Sequence, residues 1–188
     1  MILNPHLRPS GLRLGFLAPN LYKTEKSLFV MYKNPNLKPL AHDAVKLLII
    51  HTVANKCTRP FEPENLIACG EAKFGIASYH YYIRYNGEII PILPENVRGA
   101  HARHYNHCSL GIVYEGGLDE NGKAADTRTE AQKHAMYELL KDLTEEYPDA
   151  HILGHCELPG VAKTCPNFIA SREYASLQPA NRKTSILN

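Results

Sequence analysis

Three features of the chain predict an α/β fold, a single domain built on a mixed central β-sheet flanked by helices. The first is a short, nearly unbroken apolar run, Val45-Lys46-Leu47-Leu48-Ile49-Ile50-His51, the pattern of a buried central strand. The second is Asn86-Gly87 between two strand-like runs, a strong hairpin signal. The third is a long segment in which Ala135, Met136, Leu139, Leu140 and Leu143 share one helical face before Pro148. Strands interleaved with helices, without an internal repeat, imply helices packed on the faces of the sheet. At 188 residues and 44% hydrophobic content the chain fits one well-filled core better than two.

Residues 1–44 are rich in Pro and Asn and hold one strand-like run, Ser27 to Tyr32; they read as an extension packed on the domain. The domain itself spans 45–177. Its first strand ends at His51. Pro63 opens a helix that closes around Gly75, since proline suits a first helical turn and glycine a helix end. Tyr79–Tyr85 and Glu88–Leu93 form the arms of the hairpin. Ser109–Tyr114 is the next strand, broken by Gly116-Gly117 and a polar loop through Gly122. Thr127-x-x-Glu130 has capping-box spacing and starts the amphipathic helix. His151–His155 reads as a short last strand, Phe168 to about Leu177 as a terminal helix, and 178–188 as a flexible polar tail.

Composition excludes several functions. A formal net charge of +2 lacks the concentrated basic face of a nucleic-acid binder. Pro5, Arg8, Pro9 and Arg13 interrupt the N-terminus, leaving neither a signal-peptide core nor a membrane span. The expectation is a chain made in the cytoplasm and not inserted in a membrane. Five cysteines at irregular spacing argue against a disulfide framework; a bridge between Cys57 and Cys69 stays open for an oxidising compartment.

Ligands of such sheets gather at strand ends, and His51 and His155 both fall at such places. A catalytic zinc needs three protein ligands and one open position, which His51, His155 and Cys165 could supply. The count of ten histidines decides nothing, because a histidine on an apolar strand is ordinarily a satisfied core residue. No C-x-x-C pair exists, and His151 and His155 lie on a predicted strand rather than a helix, so a zinc finger is disfavoured. Taken alone, Tyr79 reads as a strand-face residue and Lys163 as an exposed lysine.

A set of fragments changes that balance: Ile49-Ile50-His51-Thr52, Ser78-Tyr79-His80-Tyr81-Tyr82-Ile83, Asn86-Gly87, Ala100-His101-Ala102, Tyr105-Asn106 with Ser109-Leu110-Gly111-Ile112, Gly154-His155-Cys156-Glu157, and Ala162-Lys163-Thr164-Cys165-Pro166. In this order they resemble the type 2 N-acetylmuramoyl-L-alanine amidases, the family of the phage lysozyme-like amidases and the animal peptidoglycan recognition proteins. The phage branch is the more similar, through His104 to Gly111 and Gly116-Gly117-Leu118-Asp119. The resemblance implies hydrolysis of the amide joining N-acetylmuramic acid to L-alanine in peptidoglycan, with zinc-bound water as nucleophile. It implies His51, His155 and Cys165 as zinc ligands, Tyr79 and Lys163 as catalytic residues, and His101 and Asn106 on the substrate groove. The segment from His155 to Cys165 is longer than the resemblance leads one to expect.

The chemistry suits these residue types. Zinc generates a nucleophile from water at neutral pH and polarises the carbonyl, and a Lys163 ammonium beside it favours the developing oxyanion. Arg84, Arg98 and Arg103 could meet stem-peptide carboxylates but are ordinarily solvated, and are left outside the site. The implied partner is peptidoglycan or a muropeptide, met by a monomer that reaches the wall by phage-type or other non-Sec release. Two other readings stay open: a recognition module that binds muropeptide uncut, which typically lacks the ligand at Cys165, and a cytoplasmic recycling amidase, which has a carboxylate there.

Overall fold

Strand β1 (Leu47–Thr52) is buried at every residue because it has a strand on either side and a layer on either face. It lies in a five-stranded sheet of order β4-β3-β5-β1-β7, with β3 at Tyr81–Ile83, β4 at Ile89–Pro91, β5 at Ser109–Tyr114 and β7 at His151–Gly154. β1 runs parallel to β5 and β7, β3 runs parallel to β5, and only β4 is antiparallel. This is the mixed sheet expected from the sequence. A second, two-stranded ladder pairs β2 (Asn55–Lys56) with β6 (Gly117–Leu118). These statements concern residues 34–180, which the computed structural model describes; the run Ser27 to Tyr32 lies outside them.

Alternation along the strands gives the sheet two different faces. Leu48, Ile50, Leu110, Ile112 and Ile152 pack with Met136, Leu139, Leu140 and Leu143 of helix α2 (Glu130–Glu146) in the main core. Leu47, Ile49 and Leu153 point the other way, onto Ala102 and Cys108. Further along that second face, Tyr82 and Val113 pack on Leu66 of helix α1 (Pro63–Phe74). Helix α1 has Pro63 at its first turn and left-handed Gly75 at its end, as its sequence signals.

Three local readings are corrected, and the expected hairpin is found with its turn defined. The cap of α2 is Thr129, not Thr127: the Thr129 hydroxyl accepts the Gln132 N–H at 3.1 Å while Gln132 Oε1 accepts the Thr129 N–H at 3.0 Å. Thr127 is otherwise engaged, its hydroxyl accepting the Gly117 N–H at 2.7 Å. In the hairpin, Gly87 has φ 84 whereas Asn86 is not left-handed, so the turn spans Arg84–Gly87 with glycine in the bulge position. His155 begins a 3-10 turn (His155–Glu157) directly after β7. The terminal helix is broken into α3 (Ala170–Glu173) and a 3-10 turn (Ala175–Leu177). The Gln178 amide accepts from Ile152 N and donates to Ile152 O, pairing with the edge strand instead of extending a helix.

The reciprocal cap at Thr129 makes a clear expectation. Thr129→Ala lowers unfolding free energy by about 1 kcal/mol in urea denaturation, and Glu130→Ala, at the partner position that the corrected cap does not use, costs less. Equal losses in the two variants contradict the cap assignment.

Candidate metal centre and active site

His51 is the next-to-last residue of β1 and shares the face of Leu47 and Ile49. Ile50 pairs with Gly154 in parallel register, so His155, one residue further on, leaves the neighbouring strand at the same end. The two imidazole centroids are 4.6 Å apart. Cys165 comes from a loop and is placed mainly by backbone groups. The Thr52 N–H donates to its sulfur at 3.3 Å, and its carbonyl accepts the Cys156 N–H at 2.7 Å. Just beyond it, the Tyr114 hydroxyl donates to Pro166 O at 2.7 Å, and Asn167 Nδ2 donates to Gly117 O and Ala125 O. Asn167 holds φ 73, a left-handed conformation that asparagine tolerates. The Arg128 guanidinium lies 3.3 Å from the centroid of the Phe168 ring and bonds to both Asp126 and Glu173.

The donor atoms of His51, His155 and Cys165 all lie within 4.8 Å of one another. Zinc holds nitrogen at about 2.0–2.1 Å and thiolate sulfur at about 2.3 Å, so small side-chain adjustments let these donors share one ion. Their protonation suits it. Burial, then neighbouring His101, His155 and Lys163, hold His51 well below its ordinary pKa, and burial followed by Lys163 lowers His155. Both rings are therefore neutral at pH 7 with a lone pair to give, as ligation requires. Burial pushes the Cys165 thiol up to about 11, against the Thr52 N–H and Lys163. A dication favours the thiolate and reverses that shift. The donor set fits a soft-tolerant divalent ion.

A family profile described as "Amidase_2: N-acetylmuramoyl-L-alanine amidase" matches residues 41–168. The chain belongs to this amidase family. The endolysin of Escherichia phage T7 is 35% identical over 94 residues, which are 50% of this chain and 61% of the endolysin. The chain thus matches less than two thirds of that relative's length. A peptidoglycan-recognition protein of Drosophila melanogaster is 28% identical, over 66% of this chain and 69% of its own. Among solved structures, an endolysin N-acetylmuramoyl-L-alanine amidase from Clostridium intestinale superposes with TM-score 0.60 at 24% identity, covering 74% of this chain and 88% of that one. That likeness speaks to the fold.

The other residues that the family resemblance implied fall into two groups. Tyr79 lies just before β3 rather than on a strand face, half-buried, with its ring 5.2 Å from that of His51. Burial and then Cys165 push its phenol up to about 12, so it keeps its proton at neutral pH. Lys163 is exposed, yet its charge acts on His51, His155 and Cys165 alike. His101 and Asn106 differ from the groove-lining expectation in the atoms they commit. His101 is 9% exposed, with Nδ1 3.1 Å from His51 Nε2. Asn106 Oδ1 accepts the backbone N–H groups of His101 and Ala102, although its residue borders an open groove with Lys38, Arg98 and His107.

Sequence reasoning missed Thr52, whose N–H meets the sulfur, and His80. The latter is fully buried, donates from Nε2 to Val97 O and accepts the Gly111 N–H at Nδ1, each at 2.9 Å. Its signals were a polar residue inside a strand-like run and a place within the fragment Ser78 to Ile83, neither of which states a role. Burial lowers its pKa from 6.5 to about 4. Between those values the unfolded chain binds a proton that the folded one refuses, so stability is lost as pH falls through that window. Urea unfolding of chelator-treated protein should lose up to about 3 kcal/mol between pH 7 and pH 4 from His80 alone. An unchanged midpoint across that range contradicts the assignment.

Proposed function

We propose that this chain is a zinc-dependent N-acetylmuramoyl-L-alanine amidase that cleaves the amide between N-acetylmuramic acid and L-alanine. The observation that carries the reading is the convergence of His51, His155 and Cys165 within 4.8 Å, beside Tyr79 and within the field of Lys163. When bound, zinc lowers the pKa of a coordinated water from about 15.7 towards about 7 and polarises the scissile carbonyl. Lys163 places its ammonium where the oxyanion develops, favouring the transition state over the starting amide. Tyr79, protonated at neutral pH, can orient the attacking water or hand a proton to the leaving amine.

The amidase unit proposed is 45–177, acting as a monomer on peptidoglycan or a muropeptide. The endolysin relatives favour an enzyme made inside a cell and released to the wall. Among the described residues no helix is long and apolar enough to cross a membrane. The complete three-donor set supports turnover rather than binding alone.

Purified protein should carry one zinc by mass spectrometry and release stem peptide from sacculi. Zinc-loaded protein that binds muropeptide but leaves it intact refutes the enzymatic reading. Lys163→Ala should keep the metal and lose about 10²- to 10³-fold in kcat, the usual cost of one oxyanion donor. His51→Ala should lose the metal. Equal zinc loss in both variants refutes the separate roles.

A further inference from the structure

We infer that His101 is a positioning residue of the metal centre: its Nδ1 accepts the Nε2 proton of His51 and so leaves His51 Nδ1 bare towards Cys165. The inference rests on the ligand reading above and adds a residue to it. Proton directions can be assigned from one end of a chain of contacts. Tyr105 O is a carbonyl and only accepts, so the Ser109 hydroxyl, 2.7 Å away, is the donor. Ser109 Oγ therefore presents a lone pair to His101 Nε2 across a longer 3.5 Å contact, which puts the His101 proton on Nε2. In an imidazole whose proton is on Nε2, the other nitrogen, Nδ1, is an acceptor. Its partner there is His51 Nε2 at 3.1 Å, which must then carry the proton of His51. The remaining atom, His51 Nδ1, is the one 4.0 Å from the Cys165 sulfur. The opposite tautomer would aim a proton at the place where the three donors meet.

The surroundings of His101 hold the ring for this task. A side-chain carbon on Gly111 would lie 2.6 Å from His101 Cδ2 and Cγ, and one on Gly99 would lie 2.7 Å from Cδ2. The ring occupies space that only glycine leaves, over β5 and beside β1. Its backbone is braced by Asn106 Oδ1, which accepts from His101 N at 3.0 Å and Ala102 N at 2.9 Å. Ala100-His101-Ala102, Asn106, Ser109 and Gly111 thus form one device behind the first imidazole. A ligating histidine generally donates its second N–H to a carboxylate, carbonyl or water; here a second imidazole takes that place.

The test compares His101→Leu, His101→Asn and wild type. Zinc affinity is read by competition with a chromophoric chelator, and the His51 tautomer by long-range proton–nitrogen NMR of the metal-free protein. The Asn Oδ1 stands where His Nδ1 stood and can still accept. Expected are an Nε2–H tautomer for His51 in wild type, zinc affinity weakened about 10- to 100-fold in His101→Leu, and recovery of most of it in His101→Asn. An Nδ1–H tautomer in wild type, or wild-type affinity in a folded His101→Leu, overturns the inference. If His101→Leu does not fold, the wild-type tautomer and the affinity of His101→Asn decide. Zinc retained by His51→Ala sinks the ligand reading instead, and the tautomer measurement then still stands for His101.

Discussion

The parallel pairing of β1 with β7 is the constraint on which the site depends. Two parallel neighbours end on the same side of a sheet, so the residues that follow Ile50 and Gly154 emerge together whatever the loops do. β1 has no free edge and no solvated face, which fixes His51 as firmly as any core residue. Flexible donors would spend much of their time apart and weaken metal binding; donors at the ends of hydrogen-bonded strands are already gathered. The sulfur is the only one of the three that needs separate placement. The Thr52 N–H bonds the sulfur and the Cys156 N–H bonds the carbonyl of the same cysteine, each donor being next to one of the two histidines in the chain. Each imidazole is thus followed by an amide that steadies Cys165.

The strands and the two main helices were legible because they are set by local periodicity: the apolar run through Ile50, the face from Ala135 to Leu143, the glycine at Gly75. His51 and His155 could be placed at strand ends on the same grounds. Features that depend on distant partners were not legible. Thr127 has cap spacing in the sequence, but Gly117 N–H claims its hydroxyl and Thr129 caps the helix instead. The terminal helix breaks where Gln178 meets Ile152, a contact with no trace in local pattern. Cys165 could be named as a donor by its residue type, but only the family resemblance implied that it joins the two histidines, since the loop that carries it is shaped by Tyr114 and Asn167 reaching across the fold. That the His101 ring lies against Gly99 and Gly111 and reaches His51 depends on backbones distant in sequence, which local pattern does not show.

The two faces of the sheet divide the work. The face under α2 is almost wholly apolar, and its polar groups are structural: Gln132 donates to the carbonyls of Ile83 and Glu115. The other face collects His51, His80, His101 and Ser109 around glycines, with each buried polar side-chain atom partnered among the described residues. Buried imidazoles resist protonation, so the same burial that costs the fold stability in acid keeps the ring nitrogens available as donors and acceptors near neutrality.

Arg128 ties this chemistry to the mechanics of the chain. Its guanidinium is nearly inaccessible and is shared between Asp126, at the approach to α2, and Glu173, on the far side of the sulfur-bearing loop. To peel that loop away would take Glu173 and the Phe168 ring from a buried cation and leave it with Asp126 alone. One guanidinium thus ties the end of the loop that carries Cys165 to the approach of α2. The sulfur is thereby anchored beside a helix start, although it sits in what a secondary-structure diagram draws as coil.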